Sequence, residues 1–192
     1  MNEYDKIVDW YAANRQAHIG IEEITKLMVT VVPGAKVLDL GCGNGHPISQ
    51  WLIGRGFDVY GIDSSEKMIE LYQRDFPNAQ VACAGIETSD FFGTTFNAII
   101  SWGVFFHLAA PDQELGICKA AQALEPDGVF LFTSGKEEGV SQSYMDGVMF
   151  TYTSLGSAKY RALLAANNLE LVDEYSDASD NYIYVARKLP ND

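Results

Sequence analysis

Apolar positions in this chain come in two textures. Short, nearly unbroken apolar runs alternate with longer stretches in which apolar residues return every three or four positions. Near the start, Tyr4, Ile7, Val8, Trp10 and Tyr11 share one helical face, and the pattern predicts helices over residues 4–18 and 22–32. Strands and helices then alternate, with one pair of successive strands: strand Lys36–Leu40, helix 47–56, strand 58–62, helix 64–75, strand 79–84, strand 98–102, helix 112–124 stopped by Pro126-Asp127-Gly128, and strand 129–133. A helix over 157–167 and strands over 170–175 and 182–187 complete the series. Such alternation predicts a parallel sheet with helices on both faces. Residues 176–181 are too few for a parallel crossover, so the last two strands should form an antiparallel hairpin. Residues 135–154 show no clear period. A segment that long is a functional loop or disordered, and Tyr144, Met145, Met149, Phe150 and Tyr152 speak against disorder; a substrate-side cover is expected over 135–156.

With 192 residues and 47% hydrophobic content, one globular domain with a real core is expected. Neither a membrane span nor a signal peptide is visible, which predicts a cytoplasmic protein with no membrane partner. Thirteen basic residues against 26 acidic ones give a net charge of −13, a field that repels phosphate backbones, so no nucleic-acid partner is expected. Cys42, Cys83 and Cys118 lack metal-ligand spacing; all three read as small buried residues, and no metal is expected. Monomer and homodimer both remain open.

The chemistry is concentrated at Val37-Leu-Asp-Leu-Gly-Cys-Gly-Asn-Gly-His-Pro47, an apolar strand running into glycines at alternate positions. Without Cβ atoms a ligand can lie almost on the main chain, which suits a nucleoside-like molecule resting on the first strand–turn–helix of an α/β sheet. A dinucleotide loop would need glycine where His46 stands, and a phosphate-binding P-loop would need a lysine that does not occur until Lys67. The second strand ends at Asp63, where an acid can accept both hydroxyls of a ribose.

Asp39 with Gly41, Gly43 and Gly45 resembles motif I of the class I S-adenosylmethionine (SAM) methyltransferases, and Gly61, Asp63, Ser65 and Met68 match that family's Gly-x-Asp-x-Ser-x-x-Met pattern. The resemblance implies a Rossmann-like α/β fold: a mostly parallel seven-stranded sheet with an antiparallel C-terminal strand. It also implies SAM as cofactor and methyl transfer to a small molecule, giving S-adenosylhomocysteine. In that reading Asp39, Gly41, Cys42, Gly43, Asn44 and Gly45 hold the methionine part, and Asp63 and Ser64 the ribose. Met68, Ile86 and Glu87 take the adenine region, where Gly85 replaces an acid many relatives carry, and Ser101 belongs to the same cofactor shell. Tyr11 and Arg15, on the N-terminal helical cover of residues 1–32, could reach the cofactor carboxylate.

A subset of bacterial methyltransferases of unknown substrate carries Trp-Asp-Ser-Phe-Phe-His-Leu followed by an Asp-Gln pair. Here the run is Trp102-Gly-Val-Phe-Phe-His-Leu108, then Asp112-Gln113, with Gly103 and Val104 removing two polar groups. Phe132-Thr-Ser-Gly135, Ser154-Leu155 and Tyr160-Arg161 extend the likeness. It places Trp102, Phe105, Phe106 and Tyr152 at the substrate. His107 is the candidate catalytic base, because imidazole titrates near neutral pH; a histidine that only shapes the pocket fits the sequence equally well. Two rival functions stay open: a non-catalytic SAM-binding protein on the same fold, and an NAD-dependent oxidoreductase.

Overall fold

The computed structural model describes residues 2–190. Its main sheet contains β1 (Lys36–Leu40), β2 (Asp58–Asp63), β3 (Gln80–Cys83), β4 (Phe96–Ser101), β5 (Leu124–Ser134), β8 (Leu169–Ser176) and β9 (Tyr182–Lys188), in the order β3-β2-β1-β4-β5-β9-β8. The first five run parallel, and β9 pairs antiparallel with both β5 and β8. This is the expected Rossmann-like arrangement.

Successive residues of a strand face opposite sides, and both sides are covered. Val37, Val59, Ala98, Ile100 and Leu131 pack under α2 (Ile21–Met28) and α3 (Ile48–Gly54). Leu38, Leu40, Ile62, Ile99 and Phe130 pack under α5 (Ala110–Ala123) and α6 (Ser157–Ala166). Burial on both faces explains why the strands read as continuous apolar runs. Among the described residues, no helix is long and apolar enough to cross a membrane.

Several elements depart from the sequence reading. The long first helix is broken into a 3-10 turn, Tyr4–Lys6, and α1 (Val8–Asn14), after which Arg15 is extended at φ −63°, ψ 125°. The break lets Asp5 dock on the start of α4 (Glu66–Asp75). Ser65 Oγ donates to Asp5 Oδ1 at 2.6 Å, and Lys67 Nζ to the Asp5 carbonyl at 2.8 Å. The Pro126-Asp127-Gly128 segment lies within β5 at a register shift, with Asp127 at φ +62°, and so does not precede that strand. Of the cysteines only Cys42 is buried; Cys83 is exposed and Cys118 intermediate.

The largest correction concerns the expected loop at 135–156. It is a β-hairpin, β6 (Glu138–Met145) with β7 (Val148–Leu155), forming a two-stranded sheet of its own. Asp146 and Gly147 turn it at φ +46° and +76°, the two positive φ values of a type I′ turn. A buried hydrogen-bond cluster fastens it. Gln113 Nε2 donates to the carbonyls of Leu108 and Thr153, both at 2.9 Å, and Tyr160 donates its hydroxyl to Gln113 Oε1 at 2.5 Å. The same hydroxyl accepts the Leu155 N–H at 3.1 Å and lies 2.6 Å from Ser134 Oγ. Tyr160→Phe leaves several buried polar groups short of a partner, so it should destabilise the protein by about 1–3 kcal/mol. Denaturant unfolding measures this, and an unchanged midpoint would show that the cluster carries no stability.

Candidate active site

The site is built outward from the carboxyl end of β1. Gly41 and Cys42 both donate their N–H groups to the Ile62 carbonyl, at 2.7 and 3.0 Å, which ties the glycine loop to the end of β2. Gly41 lies at φ +75°, and a Cβ there would stand 2.1 Å from Val104 Cγ2, so only glycine fits. At Gly43 the same construction meets nothing within 4 Å, because that residue borders an open cleft.

Asp63 joins the loop to α4. Its Oδ2 accepts the Gly43 N–H at 2.9 Å and its Oδ1 the Ser65 N–H at 2.8 Å. Burial raises its pKa, and those two hydrogen bonds pull it back down. A carboxylate has about four acceptor sites, so Asp63 keeps capacity toward the cleft it lines.

The cleft has a volume of about 420 Å³. Ser64, Met68, Ile86 and Glu87 form one side, and Trp102, Gly103, Val104 and His107 the other. Tyr4 and Tyr11 from the N-terminal segment and Phe150 from the hairpin close it over. Gly85 does lack the acid of the family pattern, but the Glu87 side chain folds back across it: a Cβ on Gly85 would stand 2.2 Å from Glu87 Oε1.

Behind Tyr11 a narrow recess holds Arg15, Asp39, Cys42 and Asn44. Asp39 is 2% exposed and accepts a hydrogen bond from Ser49 Oγ at 2.6 Å. Burial pushes its carboxyl up to about 6, against the Ser49 hydrogen bond and the Arg15 charge. Arg15 lies over the Tyr11 ring at 5.2 Å, and its Nε is buried without a hydrogen-bond partner. A cation with a buried, unpartnered Nε and a buried acid match the carboxylate and ammonium of an amino-acid head group. The residues present therefore fit the methionine end of SAM.

His107 closes the 3-10 turn Phe105–His107. Its Nε2 lies 3.0 Å from the Tyr4 hydroxyl, and its ring packs edge-on against Tyr4 and Phe150. Burial holds its pKa down at about 4, with a backbone hydrogen bond at Thr151 opposing the shift. Burial also raises the Tyr4 phenol well above its ordinary range. At neutral pH both groups are uncharged, and the phenol donates to Nε2 when the ring proton sits on Nδ1.

Several expected site residues lie outside the cofactor cleft. Ser101 is fully buried and spends its hydroxyl on the Leu40 carbonyl at 3.1 Å. Phe105 is also fully buried, packed against Phe130 and Phe132, and does not line the cleft. Phe106 and Tyr152 border a different cavity. Gly45, at φ +84°, is backed by the Tyr72 and Phe76 rings and supports the loop from behind. The Cys42 side chain points at Gly61, and burial raises its thiol pKa, so it contributes main chain only.

Sequence reading missed Lys119, whose only signal is that it is the single cation in α5. Its ammonium donates to the carbonyls of Ile86 at 2.7 Å and Glu87 at 3.1 Å, and also to that of Ser89, gathering the loop that floors the cleft. Lys119→Met should weaken S-adenosylhomocysteine binding by roughly tenfold, about 1.4 kcal/mol. Calorimetry would report it; an unaltered affinity would mean the loop holds its shape unaided.

Residues 37–128 match the family model described as a methyltransferase domain. Among curated proteins, a tRNA U34 carboxymethyltransferase of Hahella chejuensis is 28% identical over 73% of this chain and 47% of its own length. A ubiquinone biosynthesis O-methyltransferase of Idiomarina loihiensis is 29% identical over 53% of this chain and 42% of its own length. The chain thus spans under half the length of either relative. In fold it resembles the SAM-bound amino pentose methyltransferase CalS10 of Micromonospora echinaspora, with a TM-score of 0.74, 15% identity, and coverage of 98% of this chain and 97% of that one. Domain match, sheet order and glycine loop agree in likening the chain to the class I SAM-dependent methyltransferases.

Proposed function

We propose that this protein binds SAM in the cleft at the carboxyl edge of the sheet and transfers its methyl group to a small-molecule acceptor. The observation that carries this reading is the recess, where the unpartnered Arg15 Nε and the buried Asp39 sit directly behind the glycine loop. In this account Arg15 pairs with the cofactor carboxylate and Asp39 accepts from its ammonium. Asp63 takes the ribose hydroxyls, and Met68, Ile86 and Glu87 border the adenine. Bound there, SAM supplies a methyl group activated by a positively charged sulfur. The Tyr4–His107 pair can hold the proton an acceptor gives up, and the aromatic cover excludes water from the reacting atoms. The net charge of −13 supports a small molecule over a nucleic acid as acceptor, and a cytoplasmic location accords with the free cysteines.

Arg15→Met tests the assignment. It should weaken S-adenosylhomocysteine binding by more than about tenfold, through loss of a charge-assisted pair, and leave adenosine affinity unchanged, because adenosine lacks the head group. Equal loss for both ligands would place Arg15 in the scaffold, away from the head group.

A further inference from the structure

Beside the cofactor cleft lies a second, open cavity, of about 470 Å³, at the same edge of the sheet. It lies between the end of β5, the hairpin, and the turn that leads into β9. We propose that this cavity is the acceptor site, and that it takes an arylalkylamine. The assignment rests on the cofactor reading of the neighbouring cleft and extends it to the second substrate.

The partition between the two spaces is one residue thick. The Gly103 N–H donates to Thr133 Oγ1 at 2.7 Å; Gly103 lines the cleft and Thr133 the second cavity. His107 faces the cleft while its neighbour Phe106 faces the cavity, and Thr151 and Tyr152 divide in the same way. The Tyr152 ring packs 5.1 Å from His107 and 5.6 Å from Phe106, on the hairpin side of the partition. At Gly103, φ +76°, a Cβ would meet nothing within 4 Å, so the partition is thin and unfilled there. A cleft of 420 Å³ suits one drug-sized ligand, so an acceptor needs room of its own beside it.

The lining selects chemistry. Phe106, Tyr152 and Tyr182 supply aromatic faces, which hold flat rings and attract cations. Glu137 and Asp180 border the same space, and among the described residues that line it none is Lys or Arg. Lys136, beside the cavity, holds its ammonium 5.8 Å from the Tyr182 ring. The two acids disfavour carboxylates and phosphates and favour an ammonium, with the Lys136 charge at Tyr182 opposing them in part.

The test uses two probes with the same phenol ring and opposite charge, tyramine and 4-hydroxyphenylacetate. Each is titrated into the isotope-labelled full chain saturated with S-adenosylhomocysteine, and amide shifts are followed by nuclear magnetic resonance. Tyramine should shift the amides of Gly135, Tyr152 and Asn181 saturably, and the carboxylate should leave them in place. Ser141→Trp, at an exposed position on the cavity wall, should weaken the tyramine response more than about tenfold with S-adenosylhomocysteine affinity unchanged. Failure of S-adenosylhomocysteine to bind overturns the cofactor reading. With that ligand bound, tyramine shifts that are absent, or confined to the cofactor cleft, or matched by the carboxylate, overturn the acceptor assignment.

Discussion

Replacing His107 with alanine is expected to slow methyl transfer by about 10²–10⁴-fold while leaving S-adenosylhomocysteine affinity within about a factor of two. The imidazole stands at the partition between the cofactor cleft and the second cavity. It is neutral at physiological pH because burial holds its pKa at about 4, and the neutral form is the one that accepts a proton. From the sequence alone the wild-type rate should climb through the ordinary imidazole range. The structure removes the imidazole limb from that range: between about pH 8 and 5 the rate should follow only the acceptor's own protonation, with the ring protonating near 4. A His107→Gln variant keeps a polar group beside Tyr4 without a titrating base, so it should lose the rate and the acid limb together. A variant with near-normal turnover would leave His107 as a wall of the cleft and catalysis to alignment alone.

Stability over the same interval should respond less than either group alone would suggest. His107 is depressed on folding, so it stabilises above its unfolded pKa and loses that contribution as pH falls toward 4. Asp39 is raised to about 6, so its contribution grows as pH falls. The two oppose each other between pH 6 and 4.

Asp63→Ala carries the second large effect. It should cut the affinity of both S-adenosylhomocysteine and adenosine by more than tenfold, roughly 1.5–3 kcal/mol, through lost hydrogen bonds to the ribose. The carboxylate also fixes the Gly43 and Ser65 N–H groups, so its removal loosens the loop that frames the cleft. The contrast with Arg15→Met separates the two ends of the ligand: one variant discriminates the head group, the other does not. Unchanged affinity for adenosine in a folded Asp63→Ala protein would put the ribose elsewhere.

The parallel sheet was legible because its strands are buried on both faces and its turns are marked by glycine and acid. Asp39, the glycine loop and Asp63 could be read for the same reason, since their spacing encodes one turn and one strand end. The hairpin was hidden because β6 is exposed along almost its whole length, which erases the apolar alternation that reveals a strand. Its Asp146-Gly147 turn was the available signal and outweighs periodicity in a short exposed ribbon. Phe105 and Phe106 show the limit of motif reading. Adjacent residues in one 3-10 turn face opposite ways, so Phe105 enters the core while Phe106 borders the second cavity. Gln113, Ser134, and Leu155 with Tyr160 belonged to three sequence motifs, and only the fold brings them into one hydrogen-bonded cluster. Lys119 acts on carbonyls some 30 residues away in sequence, a relation no local pattern carries.

The most direct test of the central claim is calorimetric titration of the full chain with S-adenosylhomocysteine, with NADH as the comparison ligand. The glycine loop, Asp63 and the Arg15–Asp39 recess predict saturable binding of S-adenosylhomocysteine at one site with micromolar affinity and no heat from NADH. No binding of S-adenosylhomocysteine at millimolar concentration, or NADH binding in its place, would contradict the account.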